Sequence, residues 1–305
     1  MTTSRSPSSH LRWPVLAAAV LNGFVGDWLE KQANPLAMHL QIRHQGQALN
    51  PSGPQVDAPR RTLILLVHGL TELETIWDFP GEPGRHYASE LAGPLSATPL
   101  CLRYNTGRAI HRNGDDLADT LEQLVSHWPV PVENLILIGH SMGGLLIRAA
   151  CHSGSERQHG WPALVDACVY LGTPHDGSWL ARLARGGAGL LRQMPRDYLR
   201  VIGESIDQRS EGIHDLSRGD IVADAADAPP LLPGARHFAI AGLLAKQRRH
   251  PVNALFGDAL VQENSARGAG RPGWALTDYA CFTGVDHIRL THHEDVCRKL
   301  KEWLV

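Results

Sequence analysis

One serine of the chain stands in a glycine-rich motif between an apolar run and a helical pattern. The motif GHSMGG occupies residues 139–144, directly after the apolar run LILI at 135–138. A serine in such a strand-to-helix turn takes a strained backbone conformation that presents its Oγ for attack on an electrophile. Small residues are needed two positions before and two after it, and Gly139 and Gly143 meet that need. The spacing therefore predicts that Ser141 is a nucleophile.

The same glycine spacing imitates the dinucleotide-binding pattern GxGxxG. In that pattern the second glycine lets the backbone approach a pyrophosphate, and Ser141 occupies that position here. A dinucleotide motif would also lie near the first strand of the sheet. The motif at 139–144 also lacks the lysine of a phosphate-binding P-loop. The residues favour a serine nucleophile over a nucleotide site, and we expect no cofactor.

An oxyanion hole is predicted from two backbone amides. The sequence His68-Gly69-Leu70 ends another apolar run, at residues 63–67. A tight turn at this glycine can aim the N–H of Leu70 at the same point as the N–H of Met142. Two such donors stabilise the negative charge that develops on a carbonyl oxygen under attack.

A base and an acid follow two later apolar runs. His287 comes after the run at 279–282, and Asp258 lies in a loop after the run at 238–241. Nucleophile, acid and base then occur in the chain order of a Ser-Asp-His triad. Asp286 is the competing carboxylate, but neighbouring side chains on an extended loop point apart, so a separate loop presents an acid to the imidazole more readily. We therefore predict Ser141, Asp258 and His287 as the triad.

The remaining histidines do not change this prediction. The chain has 17 of them, so a single histidine near a motif carries little information. His68 and His140 lie within the two motifs, where we expect wall residues rather than bases. His292 and His293 precede two acidic residues and so permit a metal site, but a solvated helix start explains them better, and we expect no metal.

The elements that must position these residues alternate along the chain. Short apolar runs without polar alternation indicate strands covered on both faces. Helical patterns lie between them, and together they predict a doubly wound, mostly parallel α/β sheet. The predicted strands are 63–67, 135–138, 167–171, 238–241 and 279–282, with a weaker one at 97–104 and an edge strand at 38–42; the predicted helices are 115–128, 142–152 and 294–304.

Three parts are expected along the chain. Residues 61–178 and 236–305 form the predicted α/β core, and residues 1–60 form an N-terminal extension with a helix. Residues 179–235 lack a strand-like run and carry leucines at helical spacing. A segment of that length between strands is usually functional, so we expect a helical cap over the active-site end. A structural excursion without a role in the site is the alternative.

Composition limits which binding partners and which cellular compartment are expected for this chain. With 29 basic and 31 acidic residues the net charge is −2, which predicts no binding to nucleic acid. The five cysteines are scattered and form no CxxC pair, which indicates reduced thiols. Residues 11–26 faintly resemble a signal peptide, but their apolar core at 15–21 is short, and the stretch is too short to span a bilayer. An amphipathic helix docked on the domain is favoured, and we expect a cytoplasmic protein.

Together these motifs resemble the lipase and esterase branch of the α/β-hydrolases, especially bacterial proteins similar to the GPI inositol-deacylase family. The resemblance extends from about Leu63 to the C-terminus, and the stretch at 21–40 is similar too. It rests on LVHGL at 66–70, RYNTGR at 103–108, LILIGHSMGGLLIR at 135–148, YLGTPHDGS at 170–178, GDALV at 257–261 and HIRL at 287–290.

The resemblance implies an α/β-hydrolase fold with Ser141 as nucleophile, Asp258 as acid and His287 as base. Gln262 is a departure, because relatives often have proline there. The motif RSEGIHDL at 209–216 is also family-like, with no catalytic role attached to it. The expected activity is hydrolysis of carboxylic esters, with lipid-like or apolar acyl groups. Alternatives are an acyltransferase, a thioesterase or an amidase on the same triad, or a non-catalytic binding protein of the same fold.

Overall fold

The computed structural model describes residues 12–177, 210–223, 229–247, 261, 263–268 and 274–305. The predicted acid, Asp258, lies outside the described residues. So does most of the predicted cap, apart from 210–223 and 229–235.

Eight strands form one sheet in the described part of the chain, in the order β2-β1-β4-β3-β5-β6-β7-β8. β1 pairs antiparallel with β2 and β4, and all the other pairs are parallel. The strands are β1 Gln41–His44, β2 Gln47–Ala48, β3 Thr62–Val67, β4 Ala97–Arg103, β5 Asn134–His140, β6 Val165–Leu171, β7 Arg236–Leu243 and β8 Asp278–Thr283. The prediction of a mostly parallel sheet is confirmed.

Helices cover both faces of this sheet, which explains the unbroken apolar runs. Leu63 and Leu65 of β3 belong to one buried cluster, while Ile64 and Leu66 belong to another on the opposite face. Because successive strand side chains point to opposite faces, a strand buried on both must be apolar throughout. The helices are α1 Arg12–Lys31, α2 Tyr87–Ala92, α3 Ile110–His127, α4 Met142–Glu156, α5 Glu211–Arg218, α6 Glu263–Arg267 and α7 Glu294–Leu304. α3 and α4 contribute to the first cluster, α2 and α7 to the second.

Two elements begin three or more residues away from their predicted starts. The strand expected at 38–42 is β1, Gln41–His44, and it is not at the edge, because β2 pairs on its outer side. α3 begins at Ile110 rather than at 115, because the carboxylate of Asp215, distant in sequence, accepts a hydrogen bond from the backbone N–H of Ile110 at 2.7 Å. A cap supplied by another segment leaves no signal in the local sequence.

The N-terminal helix α1 is hydrogen-bonded to the segment that follows it and to the loop after β4. The Asn22 side chain in α1 donates to the carbonyl of Leu36 at 2.7 Å and accepts from the N–H of Met38 at 2.8 Å. Asn105 donates from its side chain to the carbonyl of Gly26 at 2.9 Å. Within the described residues, no helix is long and apolar enough to cross a membrane.

Candidate active site

Ser141 stands between β5 and α4 in a strained conformation. Its φ is 51° and its ψ is −122°, a combination that non-glycine residues rarely adopt. Its backbone N–H donates to the carbonyl of Leu171 at the end of β6, at 2.9 Å. α4 starts at the next residue, so the positive end of the helix dipole lies at the serine. This is the geometry that the sequence predicts for a nucleophile at a strand-to-helix turn.

Two glycines permit the tight approach around the serine. A Cβ on Gly139 would lie 2.6 Å from the backbone nitrogen of Gly144. A Cβ on Gly143 would lie 2.2 Å from the carbonyl oxygen of Val67, at the end of β3. Both contacts are with backbone atoms, which cannot rotate away. The turn at residues 139–144, hereafter the elbow, therefore needs glycine at these two positions because β3, β5 and α4 pack so closely.

The turn after β3 touches Ser141. A Cβ added to Gly69 would lie only 3.0 Å from the Cβ of Ser141. The phenol of Tyr104 donates to the carbonyl of His68 at 2.9 Å, and the two rings stack at 4.7 Å. Leu70 packs against the buried cluster that contains Met142. The structure thus brings together the two segments whose amides are candidates for the oxyanion hole.

His68 is a buried wall residue, as its position in the motif suggested. Burial lowers the pKa of His68, which favours the neutral imidazole. Its Nδ1 lies 2.9 Å from the carbonyl oxygen of Gly69, so Nδ1 carries the proton and donates it. This contact supports the turn at Gly69.

His287 lies close to the elbow. It follows β8 at the start of a short 3-10 helix, Ile288–Thr291, and its side chain is buried. Its backbone carbonyl oxygen is 3.0 Å from Nε2 of His140, the residue before Ser141. The two imidazole rings are 4.5 Å apart, centre to centre. Residues 147 positions apart in the chain are therefore in contact here.

Glu72 is a largely buried carboxylate of this site that the sequence analysis missed. Its Oε2 accepts a hydrogen bond from the N–H of Gly69 at 2.6 Å and lies 3.0 Å from Nδ1 of His140. Burial opposes ionisation of Glu72, but the adjacent His140 ring and the Gly69 N–H outweigh it and lower the pKa of Glu72. The available signal was its position three residues after the glycine, within reach of the turn amide.

The competing acid, Asp286, has a local role. Its Oδ1 accepts a hydrogen bond from the N–H of Arg289 at 2.9 Å, which caps the 3-10 turn that follows His287. Asp258 lies outside the described residues, so its position relative to His287 stays a prediction.

The described part of the predicted cap contacts the elbow helix. Leu216 and Ile221 are buried in one cluster with Met142 and Leu145, the first apolar residues of α4. Gly177, after β6, approaches α5 so closely that a Cβ there would lie 2.1 Å from the carbonyl carbon of Arg218. Residues 210–223 therefore lie at the same end of the sheet as Ser141.

Residues 210–216, the described part of the motif RSEGIHDL, have a structural role. Ser210 donates from its hydroxyl to the carbonyl of Gly23 in α1 at 2.8 Å. The N–H of Gly212 donates to the carbonyl of Gly107 at 3.0 Å, and Asp215 caps α3 as described above. The motif fixes α5 to α1, to the loop after β4 and to α3.

His292 and His293, the two histidines that permitted a metal site, have hydrogen-bond partners within the fold. His293 caps α7, because its Nδ1 accepts from the N–H of Asp295 at 3.2 Å. His292 lies with its Nδ1 2.8 Å from the hydroxyl of Thr291. Across the described ranges, no three His, Cys, Asp or Glu side chains are grouped so that they could hold a metal ion. All five cysteines are free thiols.

Comparison with known proteins identifies the fold. A family model described as "Alpha/beta hydrolase family" matches residues 64–299. A lipase from Bacillus licheniformis, in mature form, has a TM-score of 0.55 and 20% identity over 88% of this chain and 98% of its own. A thioesterase from the prodiginine pathway of Streptomyces coelicolor has a TM-score of 0.48 and 14% identity over 85% of this chain and 96% of its own. A metagenomic carboxyl esterase has a TM-score of 0.47 and 15% identity over 98% of this chain and 97% of its own. No curated protein sequence matches. The predicted α/β-hydrolase fold is confirmed.

Proposed function

We propose that this chain, which belongs to the alpha/beta hydrolase family, is a serine hydrolase that cleaves carboxylic esters with Ser141 as its nucleophile. The observation that carries the proposal is the strained φ of 51° at Ser141, between β5 and the first turn of α4. Strain of this kind persists only where the surrounding structure enforces it, and it is typical of catalytic positions. The contact of the Gly69 turn with Ser141 supports it further.

The first step is acylation of the serine. His287 takes the proton of the Ser141 hydroxyl as its oxygen attacks the ester carbonyl carbon. Asp258 holds the imidazole in the productive orientation and stabilises its charged form. The N–H groups of Leu70 and Met142 donate to the tetrahedral oxyanion, and the positive end of α4 favours the same charge. Collapse of the intermediate expels the alcohol, which receives the proton from His287.

The second step releases the acid. His287 takes a proton from water, whose oxygen attacks the carbonyl carbon of the acyl-serine. The second tetrahedral intermediate uses the same two amides. Its collapse returns the proton to Ser141 and frees the carboxylic acid, so the residues return to their starting state. No cofactor takes part in this scheme.

The expected substrates carry apolar acyl groups. Leu216 and Ile221 belong to the same buried cluster as Met142, and Leu70 packs against that cluster, which supports an apolar wall contributed in part by residues 179–235. We propose that these residues form a cap. The kinship with GPI inositol-deacylases suggested by the motifs, and with it a lipid ester as substrate, belongs to the same proposal, as does a cytoplasmic location.

The direct test is hydrolysis of p-nitrophenyl esters of increasing acyl length by the wild type and Ser141→Ala. Ser141→Ala should lower kcat by about a million-fold where chemistry is limiting. The matched control is Ser153→Ala, in the same helix, whose hydroxyl donates to Asp115 Oδ1 at 2.6 Å and takes no part in the elbow. The control should keep nearly full activity. Full activity in Ser141→Ala would reject the proposal, and thioester or amide substrates in the same assay decide among the alternatives.

A further inference from the structure

Glu72 and His140 link three segments of the site that are far apart in the chain. Glu72 follows β3, His140 ends β5 and His287 follows β8. Glu72 and His140 are 68 residues apart in the chain, and His140 and His287 are 147 residues apart. His140 is completely buried, and the indole of Trp77 packs edge-on against its ring at 6.3 Å. The mechanism above uses neither Glu72 nor His140.

Both ring nitrogens of His140 face hydrogen-bond acceptors. Nδ1 faces the Glu72 carboxylate at 3.0 Å, and Nε2 faces the carbonyl oxygen of His287 at 3.0 Å. An ionised carboxylate and a backbone carbonyl only accept hydrogen bonds, so both contacts are satisfied together only when both ring nitrogens donate. An imidazole with two N–H donors is the imidazolium cation. Glu72 supplies the opposite charge that makes such a buried cation tolerable.

Glu72 also holds the turn that precedes Leu70. The same Oε2 atom that faces His140 accepts the N–H of Gly69 at 2.6 Å. One carboxylate oxygen thus fixes the turn of the oxyanion hole on one side and, through His140, the backbone of His287 on the other. Side chains that lock catalytic groups in this way preserve the geometry on which the rate depends.

We propose that Glu72 and His140 are positioning residues: a buried ion pair that fixes the Gly69 turn and the His287 backbone in register with Ser141. The inference rests on the proposed function, because it assigns the pair to the support of that nucleophile and base. Neither residue touches the substrate. A neutral His140 could donate from only one nitrogen, so the loss of the Glu72 charge breaks one of its two hydrogen bonds and releases either the turn or His287.

The test compares Glu72→Gln with Glu74→Gln. Both carboxylates are nearly equally buried, with side-chain exposures of 11% and 10%, and both are ion-paired. Glu74 pairs with Arg43 and Arg103 on β1 and β4, away from the elbow. Glu72→Gln should lower kcat on an activated ester, and the rate of fluorophosphonate labelling, by about tenfold to a hundredfold with little change in KM. Glu74→Gln should change kcat less than about twofold at a similar loss of thermal stability, as expected for a merely structural pair.

Equal activity of the two variants at equal stability would overturn the proposal. Should Glu72→Gln fail to fold, His140→Gln tests the link from the other partner. The ¹⁵N NMR spectrum of the wild type, with the His140 signals assigned by their loss in His140→Gln, must show two protonated ring nitrogens, and a neutral ring contradicts the ion pair. Activity that survives Ser141→Ala rejects the proposed function, whereas an inactive Ser141→Ala with an unimpaired Glu72→Gln rejects only the role of the pair.

Discussion

Replacement of Gly143 by alanine tests the close packing on which the elbow depends. The new Cβ would lie 2.2 Å from the carbonyl oxygen of Val67 and 2.6 Å from that of His68. Carbon and carbonyl oxygen ordinarily approach to about 3.3–3.6 Å, so the overlap is on the order of 1 Å. The carbonyl of Val67 ends β3 and that of His68 follows it directly, and neither backbone group can rotate aside. The first turn of α4 must therefore move away from β3 by a comparable distance, and Ser141 moves with it.

The effects of Gly143→Ala on stability and on activity differ in size. Overpacking costs about 1–3 kcal/mol, and alanine returns about 1 kcal/mol of helix propensity, so the free energy of unfolding should fall by about 2 kcal/mol at most. A misplacement of about 1 Å at reacting groups lowers the rate by roughly a hundredfold. We therefore expect Gly143→Ala to remain folded while kcat/KM for an activated ester falls by about a hundredfold. Urea unfolding and ester hydrolysis measure the two quantities on the same sample.

Gly93→Ala is the matched control for this experiment. Gly93 ends α2 with φ −64° and ψ −59°, and a Cβ there meets nothing within 4 Å. Alanine fits that conformation, so stability should rise by about 0.4–1 kcal/mol with unchanged activity. Wild-type kcat/KM in Gly143→Ala would refute the argument, because the elbow would then tolerate a displacement that the geometry forbids.

Three further predictions concern the acid of the triad, the pH dependence of stability and the hydrogen bond between Asp215 and the start of α3. Asp258→Asn should lower kcat by roughly ten-thousand-fold, whereas Asp286→Asn, which alters only the cap of a 3-10 turn, should cost far less in the same steady-state assay; the reverse order would exchange their roles. Burial lowers the pKa of His86 from 6.5 to about 4. Between these pH values His86 is protonated in the unfolded chain but not in the folded one, so the free energy of unfolding falls as the pH drops from 6.5 to 4. His86→Asn keeps an N-cap for α2 and should flatten this part of the stability–pH curve in urea titrations, while an unchanged curve would assign it to other groups. Asp215→Ala removes the cap of Ile110 and should lower the free energy of unfolding by about 1 kcal/mol; an unchanged urea midpoint would show that this contact contributes nothing.

The sheet was predictable because burial on both faces leaves a local signal. Every residue of β3 from Leu63 to Val67 is fully buried, so the apolar run and the strand coincide. The elbow was predictable for a similar reason, since Gly139 and Gly143 must be small to let adjacent elements pass. In both cases the physical requirement acts on residues that are neighbours in sequence.

Contacts between distant segments were not predictable in this way. Glu72 reaches His140 across 68 residues, and nothing in the local pattern of either residue indicates the pairing. The start of α3 is likewise set by Asp215, 105 residues further along. The strand Gln41–His44 carries only one fully buried side chain, Ile42, so alternation placed it imprecisely. Such features depend on tertiary packing, which only the folded chain specifies.

Covalent labelling by a fluorophosphonate, followed by peptide mapping, tests directly whether Ser141 is the nucleophile. The reagent phosphonylates a serine only where a base and an oxyanion hole activate it. We expect one adduct per chain, on the peptide that contains Ser141, and no adduct in Ser141→Ala. An adduct that persists in Ser141→Ala, or a wild-type protein that hydrolyses esters without any adduct, would contradict it.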